Sequence, residues 1–258
     1  MTFNTDVAAD AILSAHAART TFTNLHGALC PPDIASAYEV QDRVVDRLAE
    51  SRGPVVGYKI ATTTKVMQEL MGIDHPCGGQ ILAATAHPTG ASVRAGDFVN
   101  LRIECELAVR VATDLPATDG PYTPETIARS IAEIMPAFEL IEDRNADYKS
   151  TDARTLIADN AWNGGVVLGH PMAPFDHLEL GALKGRAAVN GIDVGSGISD
   201  RPLWSLAWVA NLVAKRGRPL RAGMIVITGS LIPTFSVSPG DTVTFEIDGV
   251  GRIAMTAA

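Results

Sequence analysis

An alternation of apolar and polar side chains between residues 101 and 111 constrains the fold of this chain more than any other feature. The odd positions hold Leu, Ile, Cys, Leu, Val and Val, whereas the even positions hold Arg, Glu, Glu, Ala and Arg. Successive side chains of a β-strand point to opposite faces, so this spacing predicts a strand with one buried face. The chain must therefore contain a sheet with an apolar layer against one face.

Helical periodicity is strongest in the first third of the chain. The predicted helices share apolar residues three or four positions apart or a capping residue at one end. They cover residues 6–18, 34–51, 62–72, 123–135 and 202–217. The fourth has isoleucines at Ile127, Ile131 and Ile134 and is expected to end before Pro136, because proline interrupts a helix.

Strand-like segments occupy most of the remaining sequence. They are rich in Val, Ile and Leu and are bounded by Gly, Pro, Asn or Asp. They cover residues 55–60, 101–111, 137–141, 166–169, 186–194, 224–228, 242–247 and 250–255. Asn190-Gly191 predicts a hairpin turn within the fifth of these segments. Residues 75–79, with one proline and two glycines, are expected to form a loop.

The order of these elements predicts an α+β protein with mixed, mostly antiparallel sheets. Strands and helices do not alternate regularly, which argues against a barrel of eight βα units and against a doubly wound parallel sheet. We expect residues 1–75 to form a small helical N-terminal part packed on residues 76–258, the β-rich catalytic domain, in one compact unit.

Charge and cysteine content exclude several classes of partner. The 258 residues include 29 acidic and 21 basic side chains, a net charge of -8. An acidic chain is poorly suited to non-specific nucleic-acid binding or to polybasic membrane binding. Three cysteines without CxxC spacing fit a reducing compartment, and no signal peptide or apolar run of ~20 residues is present. We therefore expect a cytoplasmic protein with neither nucleic-acid nor membrane partners.

Familiar catalytic motifs are absent from the sequence, but three carboxylates stand out. GxGxxG, GxxxxGK[ST], HExxH and GxSxG do not occur. Glu104 and Glu106 are two apart on the predicted strand and share a face, and Glu139 lies in a second strand-like segment. Three carboxylates suit a hard cation such as Mg²⁺ or Mn²⁺. A solvated strand face screened by arginines is the alternative for the first two.

Other polar residues in apolar surroundings are candidates for catalysis or ligand binding. Lys59 lies in the strand 55–60, where burial would lower its pKa and allow proton transfer, or where it could extend from a sheet edge into solvent. Two segments before or after strands could bind ligand or form ordinary turns. They contribute Asp159, Asn160, Trp162 and Asn163, and Thr228, Gly229 and Ser230.

These motifs, taken in order, resemble the 2-keto-4-pentenoate hydratase and 4-oxalocrotonate decarboxylase group of the fumarylacetoacetate hydrolase superfamily. The resemblance extends from about residue 34 to residue 255, nearly the whole chain. It is carried by segments 57–60, 64–76, 104–106, 136–142, 159–161, 220–223, 228–230 and 239–241. It implies a β-roll with a helical N-terminal part, a homo-oligomer, Mg²⁺ or Mn²⁺ on Glu104, Glu106 and Glu139, and Lys59 at the reacting carbon chain.

Two positions depart from the pattern of the hydratases. Cys77 follows Pro76 where these enzymes usually have Asp, and Trp162-Asn163 replaces a serine-rich run. If Cys77 lines the pocket it is a candidate acid or nucleophile, although a buried, inert thiol is more common. The bulk of Trp162 indicates a reshaped pocket.

The resemblance implies a metal-dependent hydratase of 2-hydroxy-2,4-dienoates, which adds water in the catabolism of aromatic ring-cleavage products. The alternatives are a 4-oxalocrotonate-type decarboxylase, and a C–C hydrolase of acylpyruvates with His26 or Glu39 as a base on a lid. The expected partner is a small 2-oxo or 2-hydroxydienoate acid. A complex with a related hydratase or decarboxylase is a further expectation.

Overall fold

A computed structural model describes residues 2–258 of the chain. Its helices are α1 (Thr5–Ala17), α2 (Ile34–Arg52), α3 (Lys65–Met71), α4 (Pro124–Ile127), α5 (Ala153–Ala158) and α6 (Pro202–Lys215). Its first seven strands are β1 (Val55–Ala61), β2 (Cys77–Leu82), β3 (Ala86–Pro88), β4 (Ser92–Val93), β5 (Leu101–Val111), β6 (Ile131–Glu142) and β7 (Asn163–Leu168). The others are β8 (Lys184–Val189), β9 (Ile192–Ile198), β10 (Ile225–Ser230), β11 (Phe235–Ser236), β12 (Thr242–Ile247) and β13 (Gly251–Ala257).

The strands form two sheets, which confirms the predicted α+β class. The larger has eight strands in the order β2-β1-β10-β5-β6-β7-β3, with β11 paired to β5. The smaller has five in the order β4-β13-β12-β8-β9. Three pairs are parallel, β1 with β10, β3 with β7, and β13 with β4, and the other pairs are antiparallel. The sheets are therefore mixed and mostly antiparallel, as expected.

The main core lies between the two sheets and under α6. Phe138 of β6 and Phe245 of β12 are both buried, and their rings are 6.3 Å apart. A second cluster packs α2, α3 and α5 around Trp162. Within residues 2–258, no helix combines the length and the apolar character that crossing a bilayer requires. The division of the chain at residue 75 stays a prediction.

The helix predicted at 123–135 is wrong from Ile131 onward. An α-helix covers Pro124–Ile127 and a 3-10 helix covers Ala128–Ser130, but the residues from Ile131 onward belong to β6. The pairing with β5 shifts between Arg110 and Val111, so β6 has an extra residue at that point. This bulge buries both Ile131 and Ile134, and their spacing of three imitates a helical face.

Pro136 is tolerated inside β6 because its neighbour strand ends there. Its carbonyl accepts a hydrogen bond from the Gly169 N–H at 2.8 Å, one residue beyond the end of β7. In an antiparallel strand the N–H and C=O of one residue point to the same side, so the missing donor faces the end of β7.

The loop predicted at 75–79 is also wrong from Cys77 onward, because β2 starts there. A Cβ atom on Gly79 would lie 2.6 Å from the carbonyl oxygen of Asn160. Glycine is needed at this position because another backbone approaches the strand closely. Gly79 thus leaves room for the backbone turn that leads from Asn160 to Trp162.

Candidate active site

Three carboxylates meet where β5 and β6 pair. Glu104 and Glu106 share one face of β5, and Glu139 of β6 is directly opposite Glu104. One oxygen of each lies within 4.8 Å of the others. Glu106 and Glu139 are fully buried, whereas Glu104 is half-buried. The strand register therefore brings together the three residues predicted to bind a metal.

Each carboxylate on β5 accepts a hydrogen bond on one of its oxygens. The donor to Glu104 follows β10 in the chain, and the donor to Glu106 lies within β10. The Thr234 hydroxyl donates to Glu104 Oε1 at 2.6 Å. The backbone N–H of Gly229 donates to Glu106 Oε2 at 2.7 Å. Gly229 has a φ of +113°, a conformation that L side chains rarely adopt. The glycine thus allows the turn that aims this N–H at the carboxylate.

Glu139 has the same arrangement, with two donors on one oxygen. The side-chain amide of Asn163 donates to Glu139 Oε1 at 2.8 Å, and Lys59 Nζ lies 3.2 Å from the same atom. Glu139 Oε2 and Glu106 Oε1 are buried and have no hydrogen-bond partner among the described residues. An unpartnered buried carboxylate oxygen is unfavourable, and a hard cation is the partner that such oxygens suit. The donor set therefore fits Mg²⁺ or Mn²⁺.

The electrostatics of the cluster support the same fit. Burial raises the pKa of Glu106 well above its usual value, and the charges of Glu139 and Glu104 raise it further. The pKa of Glu139 is also raised, first by burial and then by Glu104, although Lys59 opposes the shift. Like charges in a low-dielectric site repel one another, and a divalent cation would remove that repulsion.

Lys59 is a buried ammonium among carboxylates. Its side chain is 3% exposed. Burial lowers its pKa, but Glu139 and Glu104 raise it more, so the net shift is upward. The lowered pKa expected from the sequence is wrong because the sequence pattern does not show which acids face the strand. The carboxylates around Lys59 therefore favour its protonated form when no cation is bound.

A cavity of about 600 Å³ opens onto Lys59 and Glu104. Its walls combine the segment between β1 and α3, the residues that follow β10, and the turn before β7. Met67, Met71 and Ile232 supply apolar surface. A cavity of this size, mostly apolar with a few charged groups in its lining, is typical of a small-molecule site.

Three of the predicted ligand-binding residues line this cavity. Trp162 is buried and its ring packs edge-on against Phe22 and Tyr148, with centroids 5.2 and 5.0 Å apart. Gly229 and Ser230 form part of the opposite wall. The hydroxyl of Ser230 donates to the Ile232 carbonyl at 2.7 Å.

Other predicted residues lie behind the cavity wall. Asn160 holds β2, because its side chain bonds the N–H and the carbonyl of Gln80. Asp159 is bound by Arg144 and His16. Asn163 reaches the site only through Glu139. The structure does not bring Asp159, Asn160 or Asn163 to the cavity, and their substrate contacts stay predictions.

Cys77 and Thr228 are also outside the cavity wall. Cys77 is fully buried, and its Sγ accepts a hydrogen bond from the Thr62 hydroxyl at 3.6 Å. Burial raises the pKa of the Cys77 thiol. The Thr228 hydroxyl donates to the Leu107 carbonyl at 2.8 Å. A protonated thiol behind the wall fits the inert alternative for Cys77.

Sequence reasoning missed Arg102, Tyr148 and Thr234 as cavity residues. Arg102 Nη1 lies 3.3 Å from Asp143 Oδ2 and from the Tyr148 hydroxyl, and its buried Nε has no partner among residues 2–258. The strand period could have identified Arg102, because even positions on β5 share the face of Glu104. No local pattern indicates Tyr148 or Thr234.

Comparison with known proteins agrees with this geometry. Residues 62–257 match the family model of the fumarylacetoacetate (FAA) hydrolase C-terminal domain. The chain is 32% identical over 258 residues to 2-keto-4-pentenoate hydratase 1 of Dechloromonas aromatica strain RCB, covering 97% of this chain and 96% of the relative. It is 31% identical over 261 residues to the TodF product hydratase of Pseudomonas putida strain F1, covering 97% and 94%.

A solved structure extends the comparison to the whole fold. The 4-oxalocrotonate decarboxylase from Pseudomonas putida G7, complexed with magnesium and adipate, superposes with a TM-score of 0.88 at 26% identity. The alignment covers 98% of this chain and 97% of that one. The chain therefore belongs to the fumarylacetoacetate hydrolase family, within the group that contains the 2-keto-4-pentenoate hydratases and 4-oxalocrotonate decarboxylase.

Proposed function

We propose that this protein is a divalent-metal-dependent hydratase that adds water to a 2-hydroxy-2,4-dienoate during the catabolism of aromatic ring-cleavage products. The observation that carries the proposal is the cluster of Glu104, Glu106 and Glu139 beside Lys59, in which Glu104 and Lys59 line a mostly apolar cavity. The hydratases among its relatives, similar over nearly the whole chain, support the reaction class.

The three carboxylates are proposed to hold Mg²⁺ or Mn²⁺ through the oxygens left without donors. A bound cation would supply Lewis-acid stabilisation of negative charge on the substrate's C2 oxygen and carboxylate. Lys59, on the cavity side of Glu139, is placed to hold or deliver a proton to the conjugated carbon chain. Its position on Glu139 Oε1 keeps the ammonium close to the cluster without occupying the bare oxygen.

The cavity walls favour a small unsaturated acid. Met67, Met71 and Trp162 present apolar and aromatic surface to a hydrocarbon chain, and they exclude water from it. Arg102 adds a second cationic group to the wall, which favours an anionic substrate. Gly229 and Ser230 are proposed to contact the substrate from the opposite wall.

The competing reactions use the same site differently. A decarboxylase would use the same stabilised charge to release CO₂, and the fold of 4-oxalocrotonate decarboxylase favours it as the second candidate. A C–C hydrolase needs a base near the substrate carbonyl. His26 is exposed and Glu39 lines a separate groove beside α2 and α6, so neither reaches the cavity. This observation disfavours the acylpyruvate hydrolase.

The products of two substrates test the proposal. We expect the Mg²⁺-loaded protein to remove the dienol absorbance of 2-hydroxypenta-2,4-dienoate without releasing CO₂. Release of CO₂ from 4-oxalocrotonate, with no turnover of the dienoate, would instead assign decarboxylation. Failure to convert either substrate while Mn²⁺ still binds would refute both reactions.

The donors that hold the carboxylates are expected to set metal affinity. We expect Asn163→Ala and Thr234→Val each to weaken Mn²⁺ binding by about 10- to 100-fold, as outer-shell substitutions commonly do, because the freed carboxylate loses its orientation. Calorimetry or electron paramagnetic resonance titration measures the affinity. Thr63→Val is the matched control, since its hydroxyl lines the same cavity and bonds none of the three carboxylates among residues 2–258. Unchanged affinity in both test variants would contradict the orienting role.

Assembly and location are further proposals. We expect a cytoplasmic homo-oligomer that can form a complex with a related hydratase or decarboxylase. Light scattering after size-exclusion chromatography would measure the mass, and a 27.2 kDa species would contradict the oligomer.

A further inference from the structure

A left-handed turn at residues 160–162 precedes β7 and lies between the cavity wall and the carboxylate cluster. Asn160, Ala161 and Trp162 have φ angles of +51°, +48° and +58°. L residues adopt this region singly, because the Cβ atom crowds the following carbonyl oxygen, so a run of them is costly. Such a turn persists only where contacts with the surrounding structure hold it in place. Those contacts therefore also fix the position of the residues that follow the turn.

The side-chain amide of Asn160 supplies one such contact at the edge of the larger sheet. β2 is an edge strand of that sheet, so the backbone groups on its outer side need partners other than a strand. The Gln80 N–H donates to Asn160 Oδ1 at 2.7 Å, and Asn160 Nδ2 donates to the Gln80 carbonyl at 2.8 Å. The N–H and C=O of one residue point to the same side of an antiparallel strand. The amide therefore bonds both groups as a neighbouring strand would.

Two further hydrogen bonds connect Asn160 to the carboxylate cluster. The Asn160 carbonyl accepts a hydrogen bond from the backbone N–H of Asn163. The Asn163 side chain donates in turn to Glu139 Oε1 at 2.8 Å. Asn160 itself lies behind the cavity wall. Its influence on the cluster must therefore pass through the residues that it holds.

The strand that Asn160 holds also lies against Lys59. Gly79, next to Gln80 in β2, is paired with Lys59 of β1. A Cβ atom on Gly79 would lie 3.1 Å from Lys59 Cγ and 2.6 Å from the Asn160 carbonyl oxygen. β2 and β7 lie toward opposite ends of the strand order and are not paired with each other within residues 2–258. The Asn160 amide therefore connects the strand beside Lys59 to the turn that precedes β7.

We propose that Asn160 is a positioning residue that orients Glu139 for the metal ion through Asn163, an inference that rests on the metal site of the proposed function. Asn suits this role for two reasons. Its amide carries both a donor and an acceptor, and Asn tolerates a positive φ better than most L residues. Glycine would accept the φ but could form neither side-chain bond, so the two requirements can be separated.

Asn160→Gly tests the amide while it preserves the backbone conformation. We expect Mn²⁺ affinity to fall by about tenfold, as outer-shell substitutions commonly cause, because the turn and Asn163 lose their contact with β2. Calorimetric titration measures the affinity, and circular dichroism checks the fold. Asn145→Gly is the matched control, since Asn145 also has a positive φ, +60°, and its side chain is exposed. Equal affinity in Asn160→Gly and the wild type would overturn the proposal.

A double-mutant cycle shows whether the effect passes through Asn163. In the Asn163→Ala background, we expect Asn160→Gly to weaken Mn²⁺ binding by no more than about twofold, which is the usual scatter of such cycles. A structural role without coupling to Asn163 would instead give the full tenfold loss in that background. Such additive losses would contradict the positioning role.

A second variant covers the case in which Asn160→Gly does not fold. An ionised Asp at this position keeps the volume and the acceptor for the Gln80 N–H but has no donor, so Asn160→Asp should also weaken Mn²⁺ binding. Asn211→Asp is its matched control, because the Asn211 amide on α6 bonds the N–H and the carbonyl of Tyr122 in the same way. Unchanged affinity in Asn160→Asp would overturn the proposal. A wild type that binds no Mn²⁺ would refute the metal site itself, and this inference with it.

Discussion

Glu106→Gln is expected to abolish Mn²⁺ binding while leaving the fold intact. The amide is isosteric, and its oxygen can still accept from the Gly229 N–H that now holds Oε2 at 2.7 Å. Its NH₂ group would then occupy the position of the bare Oε1 and point donors at a cation. Outer-shell substitutions commonly cost 10- to 100-fold in affinity, so loss of a ligand should cost at least about 100-fold.

The metal-free fold should tolerate this change. Burial and the neighbouring carboxylates raise the pKa of Glu106, so its ionised form is unfavourable in the absence of a cation. A neutral amide removes that unfavourable charge. Circular dichroism should show an unchanged spectrum. Glu133→Gln on the same strand as Glu139, where the side chain pairs with Arg110, is the matched control. If Glu106→Gln binds Mn²⁺ as tightly as the wild type, the proposed three-carboxylate metal site is wrong.

Lys59→Met should slow turnover strongly without abolishing metal binding. Proton transfer by a positioned side chain typically contributes 10²- to 10⁴-fold, so we expect kcat to fall by about that factor. Met fills a similar volume in the buried strand. Glu139 Oε1 keeps its hydrogen bond from Asn163, so the carboxylate remains oriented. Removal of the competing ammonium should leave Mn²⁺ affinity equal or higher.

Parallel measurements of kcat and Mn²⁺ affinity separate the two roles of the lysine. Lys184→Met, at an exposed position on β8, controls for loss of a positive charge. If Lys59→Met loses metal binding together with activity, Lys59 acts by supporting the cluster. If kcat is unchanged, the assignment of Lys59 to proton transfer is wrong.

Elements with a clear local period were predictable from the sequence. β5 begins and ends where the alternation does, and α2 matches the predicted span to within a residue. The odd positions of β5 are all buried, as expected, but Glu106 and Ala108 are buried as well. The centre of the strand is covered on both faces, because Ala108 packs on the second face in an apolar cluster of strand residues that includes Ile81 and Val166.

Features that depend on pairing between distant segments were not predictable. The bulge that turns residues 131–134 into strand is a property of the β5–β6 register. The same register places Glu139 opposite Glu104. Sequence spacing alone did not decide whether these carboxylates meet at a metal site, whereas the family resemblance favoured it. Asn160 and Thr228 are close in sequence to cavity residues, but their side chains point back into the scaffold. Sequence order does not show that direction.

The hydrogen bonds that orient the three carboxylates differ in how substitutions can change them. Side chains donate two of these bonds, from Thr234 to Glu104 and from Asn163 to Glu139. A single substitution can therefore weaken, remove or lengthen either bond. Glu106 is held by the main-chain N–H of Gly229, which points at the carboxylate because glycine adopts a φ of +113°. Substitutions can therefore adjust the orientation of Glu104 and Glu139 independently, for a different ion or a bulkier substrate. The orientation of Glu106 has no side chain to adjust it and depends on glycine being kept at position 229.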